Sequence, residues 1–218
     1  MPPYMEENLG IAFTDVLEKM QRRIMEDTVY FGVKTLKNPL DFWIYQEIIF
    51  QAKPDFIIEI GNYQGGSTLA LAHLCDNLKK GRVLAIDVSH ENVPPEVAGH
   101  PRITLIEGDA CNSFDEVSRI VGRDATVLII EDSSHTYENT LAVLETYSAL
   151  LKPGGYFIVE DSICHHGLPV GPDPGPYEAI EAFLKSHPDY EPDREKEAFF
   201  ITWNPRGYLK KRQAAGRP

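Results

Sequence analysis

The sequence predicts an α/β domain in which a mostly parallel sheet carries helices on both faces. Three observations lead there. Short apolar runs of strand length recur along the chain, and stretches with helical spacing separate most of them. The runs close on acids, at Glu59, Asp87, Asp109, Asp132 and the pair Glu160 and Asp161. A glycine-rich turn from Gly61 to Ser67 joins the first of these runs to the helix formers Leu69, Ala70, Leu71 and Ala72. In such sheets ligands bind beyond the carboxyl ends of the strands, where strand order reverses, so the acids line up along the edge that meets a ligand.

At 218 residues the chain is most economically one domain with a substantial core. A hydrophobic content of 43% and a charged content of 25% are ordinary for a globular protein and exclude disordered and fibrous classes. The formal net charge of -12 repels phosphate backbones and anionic lipid, which argues against nucleic acid or membrane as a partner. A small-molecule substrate that is neutral, cationic or bridged by a metal fits better. Cys75, Cys111 and Cys164 lack C-x-x-C spacing, so neither a disulfide framework nor a zinc site is indicated. With no basic, apolar leader at the start and no run of membrane-spanning length, a cytoplasmic protein is expected.

Taken in order, Phe13, Val16, Leu17, Met20 and Ile24 recur at helical spacing and predict an amphipathic helix to Asp27 that lies outside the sheet and covers it. A second helix is predicted over Asn38 to Phe50, with Pro39 tolerated at its start and its aromatic stripe assigned to the core. Strands follow at 55–60, 82–87, 103–109, 126–132 and 155–161, with helices at Asn112 to Val121 and at Tyr137 to Leu151, the latter stopped by Lys152-Pro153-Gly154-Gly155. The loop from His165 to Pro176 is too rich in proline and glycine for regular structure and is a candidate lid. Beyond it come a helix from Tyr177 to Ser186 and two strands, Tyr190 to Glu195 and Glu197 to Asn204, paired as a hairpin that ends a seven-stranded sheet antiparallel. The expected organisation is a helical cover over 1–52, the sheet domain over 53–210 and a disordered basic tail over 211–218.

The glycine-rich turn is a candidate cofactor cradle, because glycine lets a ligand approach the main chain. Dinucleotide sites want a further glycine where this chain has Tyr63. The pattern through Glu59, Gly61, Tyr63, Gly65 and Ser67 fits S-adenosylmethionine (SAM) better than NAD, although a purely structural turn has the same appearance. Asp87 ends the second strand, where an acid accepts hydrogen bonds from the hydroxyls of a nucleoside ribose. Asp132, Glu160 and Asp161 end two strands expected to be neighbours, and three converging carboxylates repel unless a cation sits among them. Oxygen-only ligands suit a hard ion, with Mg2+ the first choice and manganese or calcium able to substitute. The alternative is that Glu160 and Asp161 merely cap loops. His135, three residues after Asp132, is open to roles as general base, substrate donor or packing residue. His165 and His166 are neighbours in a loop, where at most one would serve the same site.

Together these motifs resemble the cephalosporin hydroxylase/rhamnosyl O-methyltransferase family, a branch of the class I SAM-dependent methyltransferases. The resemblance spans about residues 30 to 210. It rests on Gly32-Val33, Pro39-x-Asp41-x-x-x-Tyr45-Gln46-Glu47, Pro54-Asp55-x-x-x-Glu59-x-Gly61-x-x-x-Gly65-Gly66-Ser67, Asp132-Ser133-x-His135, Pro153-Gly154, Val159-Glu160-Asp161 and Asn204-Pro205-x-Gly207-Tyr208-Leu209. It implies a Rossmann-like class I methyltransferase fold that binds SAM and Mg2+, with Asp132, Glu160 and Asp161 at the metal positions and Asp87 at the ribose. Asp109 and Ala110 fall where such enzymes contact adenine. The implied reaction is methyl transfer to a hydroxyl of a small molecule, such as a sugar on a secondary metabolite, by a homo-oligomer. Asp132 and His135 are the implied catalytic pair. A metal-dependent hydroxylase and a non-catalytic SAM-binding subunit are the rival readings. The chain departs from the family pattern in having Ser134 within Asp132-Ser133-Ser134-His135, where an acid is usual, and Ile163-Cys164-His165-His166 where relatives often carry asparagine and glycine.

Overall fold

The computed structural model describes residues 4–213. Helix α1 (Phe13–Asp27) leads into a small hairpin of β1 (Val29–Tyr30) and β2 (Val33–Lys34), followed by α2 (Pro39–Ala52). The sheet begins with β3 (Phe56–Ile60), α3 (Gly66–Leu78), β4 (Arg82–Asp87), a one-turn α4 (Pro95–Ala98) and β5 (Ile103–Glu107). It continues with α5 (Phe114–Val121), β6 (Val127–Glu131), α6 (Tyr137–Tyr147) and β7 (Tyr156–Val159), then α7 (Pro176–Ser186), β8 (Tyr190–Pro192) and β9 (Tyr208–Lys211).

The seven-stranded sheet has the order β5-β4-β3-β6-β7-β9-β8, parallel from β5 to β7, with β9 antiparallel to both of its neighbours. This is the expected class I methyltransferase architecture. Strand order reverses between β3 and β6, and that crevice is where the site forms. The central strands read as unbroken apolar runs because both faces are covered. Ile58, Leu84, Ile129 and Phe157 pack with α5, α6 and α7, whereas Ile57, Val83, Leu128 and Ile158 pack with α2 and α3.

Helix α2 starts where its sequence says it should: the Asn38 side chain accepts from the Leu40 N–H, and Pro39 supplies a first turn that needs no donor. Its aromatic stripe, however, is not all core. Tyr45 is buried with Ile44, Ile48 and Ile49, but Trp43 and Phe50, seven residues apart, are 58% and 62% exposed on the outer face. A helix lying on a sheet hides only one stripe. Helix α1 packs against the sheet domain. Its Leu17 and Ile24 pack on Ile163, Leu168 and Trp203, which belong to the loops around the sheet's carboxyl edge.

The closing strands differ from expectation. Residues 197–204 form no strand, and the partner of β7 is β9, which begins at Tyr208. The reason is visible in the hydrogen bonds. The Thr202 hydroxyl and the Trp203 N–H both donate to Asp41, and the Asn204 amide donates to the Tyr45 hydroxyl, so this segment spends its polar groups on α2 and not on a ladder. Lys211, expected in the tail, closes β9, while residues 214–218 of that tail lie outside the described residues. No helix among the described residues is long and apolar enough to cross a membrane.

Candidate active site

A cavity of about 760 Å3 opens at the reversal point. One half is lined by the turn after β3 (Gly61, Asn62, Tyr63), by Asp87 and Val88 after β4, and by Gly108, Asp109 and Ala110 after β5. The other half is lined by Gln21, Ile24 and Met25 of α1, by Leu36 and Trp203, and by Val170 and Gly171 of the proline-rich loop. Between the two halves stand Asp132, His135 and Asp161.

Gly61 has φ +84°, and a Cβ there would overlap the Asp132 carbonyl, so only glycine lets the ends of β3 and β6 meet so closely. The turn is then held by Asp87, whose Oδ2 accepts the N–H groups of Asn62 (2.9 Å) and Tyr63 (2.8 Å). Asp87 thus fastens the predicted cradle while also facing the cavity. Asp109 is similarly tied, accepting the Asn112 N–H at 2.9 Å. Glu59 lies beneath the cavity, fully buried, with the Thr68 hydroxyl donating to Oε2 at 2.5 Å and Oε1 without a hydrogen-bond partner among the described residues. Burial pushes its carboxyl above the usual range, opposed by Lys37, Ser67 and Thr68. Gly65 adopts the left-handed conformation at the start of α3, and Ser67 lines the cavity.

Of the three acids expected to converge, Asp132 and Asp161 come together, and His135 stands with them where Glu160 was expected. His135 Nε2 lies 3.4 Å from Asp161 Oδ2 and 3.7 Å from Asp132 Oδ1, and one ligand atom from each of the three residues fits within a 4.8 Å cluster. Glu160 is not in that cluster. Its Oε1 accepts from the Lys37 ammonium at 2.5 Å, and the same ammonium donates to Asp132 Oδ2. Burial raises the Glu160 carboxyl well above its usual range, Asp132 adds to the effect, and Lys37 opposes it. Asp161 is pushed up to about 6 by burial, with His135 opposing and Asp132 reinforcing. Burial disfavours the His135 imidazolium, yet Asp161, Asp132 and Glu131 together outweigh it and its pKa rises. Its Nδ1 is buried without a hydrogen-bond partner among the described residues.

Three features were not foreseen from the residues. Lys37 sits in Leu36-Lys37-Asn38-Pro39, a stretch that reads as an ordinary approach to a helix; nothing local announces a lysine only 7% exposed at its side chain. Glu131 is a fully buried acid that accepts from the Ser133 hydroxyl, and Ser133 in turn accepts from the Asn139 amide. Trp203 forms part of the cavity wall and donates its indole N–H to Gln21 Oε1 at 2.5 Å. By contrast, His165 and His166 are engaged elsewhere, on the Gly171 carbonyl and on Glu178, and neither joins the acid cluster.

The rhamnosyl O-methyltransferase/CmcI family model matches residues 22–212, nearly the whole chain. The chain belongs to this family. It is thereby an O-methyltransferase, and the single histidine of the Asp132-His135-Asp161 cluster does not favour the oxygenase alternative, which needs two. A rhamnosyl O-methyltransferase of Mycobacterium leprae (strain TN) is 36% identical, covering 85% of this chain and 84% of its own. The enzyme of the same name from Mycobacterium tuberculosis (strain H37Rv) is 34% identical, covering 84% and 77%. Among solved structures, CmcI with Mg and SAM superposes with a TM-score of 0.68 at 22% identity, over 85% of this chain and 77% of that one. CmcI without ligand gives 0.67 at 23% identity, over 98% and 90%.

Proposed function

We propose that this enzyme transfers a methyl group from SAM to a hydroxyl of a small molecule, a sugar on a secondary metabolite, with Mg2+ as cofactor. The observation that carries the reading is the placement of the Asp132-His135-Asp161 cluster in the same cavity as the Gly61 turn and Asp87. The donor set fits a divalent cation. Buried carboxylates whose pKa values are driven upward by burial and by one another are relieved by a cation among them. Asp132 and Asp161 would hold the ion, with Glu160 as the third family acid.

When bound, SAM supplies the electrophilic methyl, and the cation lowers the pKa of the acceptor hydroxyl and fixes its direction. The chain's own residues do the rest. Gly61, Tyr63, Gly65 and Ser67, above Glu59, frame the amino-acid end of SAM; Asp87 takes the ribose, and Asp109 and Ala110 flank the adenine. His135 Nε2 accepts the acceptor's proton, and the imidazolium formed is stabilised by Asp132 and Asp161 at 3.7 and 3.4 Å. Gln21, Ile24, Met25 and Trp203 roof the acceptor half and keep water from the methyl. In this reading residues 1–52 serve as a cover on a SAM-binding domain over 53–210. The acidic charge and dispersed thiols suit a cytoplasmic enzyme, and exposed Trp43 and Phe50 suit a homo-oligomer.

Two variants test the assignment. Asp132→Ala should abolish Mg2+-dependent methyl transfer to a panel of glycosylated acceptors while leaving SAM affinity, measured by calorimetry, nearly unchanged. Asp87→Ala should weaken SAM binding. Equal losses of SAM affinity in both, or bound iron with SAM-independent oxygen uptake, would overturn it.

A further inference from the structure

Lys37 is the one residue of the acid cluster that no motif assigns. Its ammonium donates to Asp132 Oδ2 and, at 2.5 Å, to Glu160 Oε1, and its side chain is only 7% exposed. It is also held from behind. The next residue, Asn38, caps α2 through the Leu40 N–H and donates its amide to Asp41 Oδ2 at 2.7 Å, so the main chain at residue 37 is fixed. A buried lysine persists only when paired, and here it is paired twice. Asp132 is consequently divided, with Oδ2 on Lys37 and Oδ1 toward His135.

We propose that Lys37 is a resident counter-cation of the metal site, which competes with the divalent ion for Asp132 and Glu160 and sets the charge the ion meets. The inference rests on the metal reading above. Three carboxylates face one ammonium, so in the fully ionised form that a bound cation favours, Asp132, Glu160 and Asp161 keep two net negative charges beside Lys37, which a single divalent ion neutralises. Removing the lysine leaves a third negative charge with nothing opposite it. Two consequences follow from Coulomb's law. Lys37 stabilises the fold when no ion is bound, and it weakens the hold on the ion.

The test uses the whole chain and Mn2+ as probe, with free Mn2+ followed by electron paramagnetic resonance and thermal unfolding followed in EDTA and in excess Mg2+. Lys37→Met should bind Mn2+ about tenfold or more tightly than the wild type. In EDTA it should melt lower, and Mg2+ should raise its melting temperature by more than it raises that of the wild type. Lys37→Gln retains an amide donor for the carboxylates without the charge and should show the same tightening, so it carries the test if the Met variant does not fold. Unchanged or weaker Mn2+ affinity in these variants overturns the role of Lys37 alone. A wild type that binds no Mn2+ overturns the metal reading and this inference with it.

Discussion

The main-chain N–H of Trp203 donates to Asp41 Oδ2 at 2.8 Å, pinning the loop before β9 to the first turn of α2. Asp41 is 4% exposed and also accepts from Asn38, from the Thr202 hydroxyl at 2.5 Å and from the Tyr208 hydroxyl at 2.8 Å. Four donors thus converge on one carboxylate, one from its own helix cap and three from 202–208, more than 160 residues along the chain. Asp41→Ala strands all of them in the interior, and urea unfolding should register a loss of about 3 kcal/mol or more. Because Trp203 lines the cavity, in the half proposed for the acceptor, the same variant should raise KM for the acceptor more than for SAM.

Gly61 brings the ends of β3 and β6 together, and the space for even a methyl group is taken by the Asp132 carbonyl. Gly61→Ala should therefore cost on the order of 4 kcal/mol, a size reserved for backbone conflicts in a packed interior. Gly32, which also has positive φ but faces open space, provides the control. Gly32→Ala should cost only about 1 kcal/mol, the conformational penalty alone. Similar losses in the two would show that close approach is not what Gly61 provides.

Burial pushes the thiols of Cys75 and Cys164 up to about 11, and neither side chain is accessible. Cys111 is partly exposed. Iodoacetamide at pH 8 should accordingly label Cys111 in the native protein while the other two wait for unfolding, since the thiolate is the reactive form. Peptide mapping by mass spectrometry reads the order directly. Early labelling at Cys164 would mean that the loop holding it opens readily.

Asp55 joins the starts of β3 and β6. Its Oδ2 accepts both the N–H and the hydroxyl of Thr126 at 2.8 Å, and these bonds, with help from Lys80, hold its pKa below the ordinary 3.8. A carboxyl depressed in the folded state stabilises at neutral pH, and that contribution is lost as pH falls below 3.8 toward the folded value. The stability gap between wild type and Asp55→Asn should be flat from neutral pH down to the approach of 3.8 and shrink below it. Denaturant titrations at stepped acidic pH measure the gap; a constant difference throughout would remove the linkage.

Much of the site could be read from residue order because its parts are local. A strand that ends in an acid places that acid at the sheet's carboxyl edge wherever the strand itself comes to lie. Asp87, Asp109, Asp132 and Asp161 were legible on those grounds and Gly61 from its glycine-rich turn, and the structure puts all five around one cavity. His135 was legible by its distance from Asp132. The exposed side of α2 was not, since large apolar residues spread around the helix do not say which stripe meets the sheet, and Trp43 and Phe50 turned out to face away from it.

Strand direction, the reversal between β3 and β6 and the edge on which the acids gather are consequences of alternating apolar runs and helices, which the chain states residue by residue. What the fold alone settles are pairings between segments distant in sequence. Lys37 reaches Asp132 and Glu160 across 95 and 123 residues, and Asp41 gathers Thr202, Trp203 and Tyr208 across more than 160. Those bonds convert residues 197–204 from an expected strand into a loop that walls the cavity. Their physical basis is the cost of leaving a buried charge alone, which appears only once folding has removed the water.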